Sequence, residues 1–194
     1  MRMIHTATQR LRRAALGLGL LLSLLVLPMR GAEVLAKNPH DLIAGFLHRF
    51  PAYVEWPTNA FATNPPPWRI AVLGDDPFGE ALAMACKNKP IKGREFEIVH
   101  VMSVLELPAC DIVYLTSKDP DELKAQLAAL ATRPVLTVGE APDFLKLGGI
   151  IQLEARRTMQ FNINLDVART NGLKIRVEML EIATHIIEHG EQKK

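Results

Sequence analysis

Five short apolar runs leave this chain few ways to fold. They are Arg69–Leu73 (RIAVL), Glu95–Val101 (EFEIVHV), Asp111–Thr116 (DIVYLT), Pro134–Val138 (PVLTV) and Gly149–Leu153 (GIIQL). Runs of this kind, bounded by turn residues and mostly without polar alternation, suit strands buried on both faces. Helical patterns separate them. Gly74-Asp75-Asp76-Pro77 closes the first strand and opens a helix to about Lys87, with Asp76 as N-cap and Pro77 in the first helical position. Asp119 caps the clearest helix: Pro120 suits its first position, Asp121 and Glu122 favour the positive end of the dipole, and Leu123, Leu127 and Leu130 line one face. Asp41–Val54 reads as an amphipathic helix interrupted or reoriented at Pro51, and Pro57–Pro67 as a connector.

Thr158–Leu165 (TMQFNINL) alternates polar and apolar residues from Gln160 onward, as an edge or half-exposed strand does. The turn before it, around Ala155–Arg157, is too short for a crossover, so this strand pairs antiparallel with its predecessor. A final helix is expected over Val177–His189, burying Leu180, Ala183 and Ile187. The resulting fold class is α/β. It has a mostly parallel sheet of five to six strands, doubly wound and flavodoxin-like with helices on both faces, and an antiparallel strand near the C-terminus.

Charge separates the N-terminal segment from the rest. The 194-residue chain carries 23 Lys+Arg and 21 Asp+Glu, a net +2. Arg2, Arg10, Arg12, Arg13 and Arg30 lie in the first 36 positions with Glu33 as their only acidic neighbour, which leaves the remainder slightly acidic. That balance argues against a nucleic-acid binder, which needs a basic surface to displace phosphate counterions. A basic start, the apolar run Ala14–Pro28 and the small residues of Val34-Leu35-Ala36 together form the pattern of a secretory signal peptide. The run is shorter than the ~20 residues of a membrane-spanning helix, although a retained anchor stays open. The expectation is a signal peptide over residues 1–36 and a single exported domain over 37–194, located in the periplasm of a Gram-negative cell.

The candidate chemistry is sparse. His185-Ile186-Ile187-Glu188-His189 matches the H-x-x-E-H pattern of inverted zinc proteases, but His side chains are ordinarily favoured at a helix C-terminus, and no metal is expected. No Ser/His/Asp or Cys/His set suggests itself, so neither catalysis nor a cofactor is expected. Asp75 lies where doubly wound sheets bind ligands, beyond the carboxyl end of a strand, and is a candidate ligand or partner contact. The glycine spacing of Gly74–Gly79 is not that of a phosphate loop. Asn162 and Asn164 share a strand face, and with Arg69, Arg169, Lys174 and Arg176 they could form a cationic, amide-lined pocket for a small anion or zwitterion; a solvated edge with surface cations is the alternative. Tyr53, Trp56 and Trp68 read either as packing of the first helix on the sheet or as a binding patch. Cys86 and Cys110 are the only cysteines. In an oxidising compartment they are expected to pair, both lying at the same end of the sheet and closing a loop of about 25 residues, worth on the order of 3 kcal/mol; two buried thiols are the alternative.

Several separated stretches carry a family resemblance. They are Phe50-Pro51-Ala52-Tyr53-Val54-Glu55-Trp56-Pro57, Ile70–Gly79, Cys110–Leu115, Leu136-Thr137-Val138, Gly148–Ile151, and Phe161–Leu165 before Gly172–Ile175. In this order and spacing the chain resembles the YfiR-like periplasmic proteins from about His40 to Glu188. The resemblance implies an exported α/β regulator, often dimeric. It would bind the periplasmic sensory domain of an inner-membrane diguanylate cyclase and restrain cyclic di-GMP synthesis and biofilm formation. Members can carry further cysteines; this chain has only the one pair. A small-molecule-sensing module for another membrane receptor or sensor kinase is the alternative.

Overall fold

The computed structural model describes residues 38–57, 66–155 and 158–193. The expected signal peptide, most of the connector and the tip of the turn at 156–157 lie outside the described residues.

The first helix, α1 (Pro39–Tyr53), starts at Asn38, whose side chain accepts from the His40 backbone N–H, with Pro39 at its first position. It runs through Pro51 rather than breaking there. Pro51 falls in the last turn, where the missing N–H costs a single helical bond. Ile43, Ala44, Leu47 and Phe50 form its buried stripe. Strand β1 (Val54–Glu55) follows and pairs with β8 (Lys174–Ile175) in a two-stranded antiparallel ladder.

The main sheet contains β2 (Trp68–Leu73), β3 (Phe96–Val101), β4 (Ile112–Leu115), β5 (Leu136–Gly139), β6 (Ile151–Ala155), β7 (Met159–Asn164), β9 (His185–Glu188) and β10 (Glu191–Lys193), in the order β10-β9-β7-β6-β5-β4-β2-β3. From β3 through β6 the strands are parallel, and β7 returns antiparallel to β6. Mixed α/β with a mostly parallel sheet was the expectation, and the antiparallel pair falls where the short turn placed it. The sheet is larger than five to six strands because β9 and β10 extend it.

Alternate side chains of each central strand feed two cores. Ile70 and Val72, Ile112 and Tyr114, and Leu136 and Val138 meet α1 and the helix α2 (Glu80–Cys86) on one face. Ala71 and Leu73, with Val113 and Leu115, meet Leu123, Leu127 and Leu130 of α3 (Pro120–Leu130) on the other. Asp119 caps α3 by accepting from the N–H groups of Asp121 and Glu122, as expected. The start of α2 differs from expectation. Asp76 Oδ1 accepts from Phe78 N at 2.8 Å and closes a turn one step earlier, so the helix begins at Glu80 after Gly79. Phe78, buried against the Tyr114 ring at 4.8 Å, holds that turn down.

The C-terminal region is the main correction. The helix α5 (Val177–Ile182) stops six residues after it starts, and a hairpin replaces the rest of the expected helix. Thr184 N donates to Phe161 O, and β9 lies parallel to β7. An open edge on β7 offers a full ladder to the β-branched pair Ile186-Ile187, and that outweighs a helix end. His189 and Gly190, both at positive φ, form the two-residue loop to β10, a backbone that Gly190 adopts without strain. His185, Glu188 and His189 therefore lie on a strand and a hairpin loop and share no helix face.

The aromatic residues of the connector's ends pack as the first of the two expectations had it. Trp56 and Trp68 pack in a tilted pair with ring centroids 5.0 Å apart, Trp56 Nε1 donates to Asp111 O, Trp68 Nε1 to Ile91 O, and Arg94 lies 3.5 Å over the Trp68 ring. Cys86 and Cys110 are free thiols in the structure rather than a disulfide. Both are near the amino ends of the strands. However, Cys86 packs in the α1/α2 core and Cys110 against the α3 core, so the sheet stands between them. Burial pushes both thiols up to about 11, with Lys89 opposing at Cys86 and Arg133 at Cys110, so both stay protonated at neutral pH.

Candidate functional site

Strand order fixes where a ligand site can form. The connection from β2 leads through α2 to β3 on one side, and the connection from β4 leads through α3 to β5 on the other. Between the carboxyl ends of β2 and β4 the two connections diverge, and the opening they leave is a cleft of about 670 Å³. Its size is that of a small-molecule site.

Three strand ends build the floor. At the end of β2, Gly74 N donates to Val101 O, and Thr116 Oγ1, at the end of β4, donates to Leu73 O at 2.9 Å. Gly74 has φ of +100°, and a Cβ there would stand 2.2 Å from Thr116 Oγ1, so only glycine lets the two ends meet. Glu140, directly after β5, accepts from the Tyr114 hydroxyl and lies 3.3 Å from His40 Nε2. Burial first, and the hydrogen bond to Glu140 second, push the Tyr114 phenol far up, so it acts only as a donor here.

Helix α3 forms one wall. Ser117 Oγ donates to Glu122 Oε2 at 2.7 Å, and Gln126 Nε2 donates to Glu122 Oε1 at 3.0 Å. Gln126 is 8% exposed, and its Oε1 is buried with no hydrogen-bond partner. Asp75 and Lys118 are exposed at the mouth.

Of the sequence-derived candidates, Asp75 is the one the structure puts in this cleft. The cationic, amide-lined pocket does not assemble. Arg69 lies at the opposite end of β2 from Asp75 and binds Glu97 at 2.8 Å and Ala109 O at 2.6 Å. Four strand steps of about 4.8 Å separate β2 from β7, too far for Arg69 to share a small ligand with Asn162 or Asn164. Asn162 Nδ2 donates to Glu154, while Asn164 caps α4 (Leu165–Thr170) and donates to Leu145 O. Arg169 binds Glu188 at 2.5 Å, Arg176 pairs with Glu178, and Lys174 is exposed on β8. The asparagines thus serve the fold, and three of the four cations, Arg69, Arg169 and Arg176, are paired with acids.

Sequence reasoning missed His40, Tyr114, Thr116, Ser117, Gln126 and Glu140. Thr116-Ser117 and Glu140 follow apolar runs directly, so the strand-end rule that singled out Asp75 applied to them equally. Gln126 gave no such sign, because a glutamine on a helix reads as solvent-facing.

The sequence profile described as YfiR/HmsC-like matches residues 40–184, well over half of the chain. The chain belongs to the YfiR/HmsC-like family. No curated protein matches it. The matched stretch of this family member runs from His40 in α1 to Thr184 at the start of β9. It contains both cores and every cleft residue named above, and it leaves out the β9–β10 hairpin except for its approach.

Proposed function

We propose that the protein is a periplasmic regulator that binds the sensory domain of an inner-membrane diguanylate cyclase, restrains cyclic di-GMP synthesis and biofilm formation, and acts as a dimer without catalysing a reaction of its own. Membership of the YfiR/HmsC-like family carries this reading. The basic, apolar leader supports export. Among the described residues no helix is long and apolar enough to cross a membrane, which is consistent with a partner that supplies the membrane anchor. Binding restrains the cyclase by favouring its inactive conformation, since a ligand shifts an equilibrium only through differential affinity for the two states. Deleting the gene tests this. Cyclic di-GMP and biofilm should rise, and the rise should vanish when the partner cyclase is also deleted; unchanged cyclic di-GMP overturns the reading. Crosslinked pull-down from membranes identifies the partner.

A second reading, a small-molecule-sensing module acting on another membrane receptor or sensor kinase, is favoured by the cleft. It no longer draws on Arg69, Asn162, Arg169, Lys174 and Arg176.

A further inference from the structure

We propose that the outward face of α1, with the apolar groove between it and α5, is the surface on which two copies of this chain pair. The inference rests on the dimer in the function proposed above and deepens it by naming the surface. The groove encloses about 360 Å³ and is lined by Leu42, Phe46 and Tyr53 of α1, Met179 and Ile182 of α5, and Phe161 of β7. Six large apolar side chains are exposed among the described residues, and three of them, Leu42, Val177 and Ile182, stand on these two helices, with Ile182 at 67%. Apolar surface gathered in one place marks a contact, unlike the scattered apolar exposure of any folded chain.

The two charges in the groove point to the occupant. Asp41 and Arg49 line it, and neither forms an ion pair or side-chain hydrogen bond among the described residues. They stand four residues to either side of Gly45. A two-fold axis beside Gly45 sets α1 antiparallel to the second copy of α1. Each charge then lies level with the opposite charge across the axis, because four residues displace both by about 6 Å along the helix. The contact closes on itself, as an isologous interface must, and one sequence supplies both ion pairs. An unrelated partner would have to present this pattern, whereas a second copy carries it already.

Gly45 is a further and independent mark. Glycine is the poorest helix former after proline, and nothing in its own copy calls for one here: a Cβ at Gly45 would have no heavy atom within 4 Å. A missing side chain on the groove side of the helix lets a second backbone approach closely. That approach brings Leu42 and Phe46 of each copy against the groove of the other.

Sedimentation velocity over a dilution series of the purified protein tests the surface. A dimer at micromolar concentration is expected. Gly45→Gln fills the crossing point without touching its own copy, and should raise the dimer Kd at least about tenfold while circular dichroism and thermal stability hold. Asp41→Lys and Arg49→Glu should each weaken the dimer about tenfold, and the double variant should return it to within about threefold of the wild type, a rescue that loss of fold does not produce. Under mild oxidation Gly45→Cys should give a disulfide-linked dimer, whereas Ala52→Cys, about 20 Å along the helix from its symmetry mate, should not. A monomeric wild type overturns both this surface and the dimer of the function proposed above. A dimer that none of these variants loosens, a double variant without rescue, or crosslinking through Ala52→Cys as efficient as through Gly45→Cys overturns the surface and leaves the dimer standing.

Discussion

At the scale of single residues, burial decides which chemistry is available. Tyr114 sits 1% exposed beneath the cleft, and its phenol is held protonated against the Glu140 carboxylate. Tyr114→Phe leaves Glu140 with His40 as its remaining side-chain partner and should lower unfolding free energy by about 1–3 kcal/mol, measured by urea denaturation. The two cysteines follow the same logic. Their burial favours the protonated form, so native protein should be inert to a thiol reagent such as DTNB, and two thiols should react once it is unfolded. A denatured sample that yields no thiol would restore the disulfide in place of the free pair.

At the scale of elements, the C-terminal hairpin shows how a local charge cluster holds a piece of secondary structure. Lys193 and Arg169 both donate to Glu188, joining β10 and α4 to β9, and these bonds hold its carboxyl down at about 2. Asp166 accepts from His189 N and Gly190 N at the loop, and those bonds likewise lower its carboxyl. Both groups have folded-state values below their unfolded ones. The contribution of Glu188 is therefore fully present above about pH 4.5, the ordinary glutamate value, and is lost as pH falls towards about 2, and that of Asp166 is likewise lost as acid protonates its carboxylate. Hydrogen exchange of the β9–β10 amides should quicken across that window before the central strands open, and Glu188→Gln should remove much of the dependence. The loop itself depends on Gly190 at φ +75°, so Gly190→Ala should cost about 1 kcal/mol, read as a shift in urea midpoint.

At the scale of the whole molecule, one sheet is shared by two cores, so each face needs the other. Leu123 of α3 is fully buried on one face, whereas Trp56 packs against the other. Leu123→Ala should destabilise the protein by about 2–5 kcal/mol. Tryptophan fluorescence and far-ultraviolet circular dichroism should shift together, because the faces unfold as one unit. Midpoints that separate would show that the two cores open independently. The same shared sheet explains why the cleft sits where it does: α2 and α3 leave opposite faces at neighbouring strand ends, and among the described residues no helix covers the gap between them.

Much of this was legible in the chain itself. Apolar runs without polar alternation specified central strands with two covered faces, Asp119-Pro120 specified the start of α3, and the short turn after β6 specified an antiparallel return, because each depends on local sterics or on the period of burial. The position of Asp75 at the cleft was legible for the same reason, since it follows a strand. The tertiary structure alone decided the rest. Ile186 and Ile187 became strand rather than helix because β7 offered a free edge, and that edge exists only after the sheet has formed. Cys86 and Cys110 reached the same end of the sheet on opposite faces, a distinction invisible to spacing. Arg69 and Asn162 belong to strands four steps apart, and Gln126 became a cleft residue through the packing of α3, because proximity across a sheet is set by strand order and not by distance along the chain.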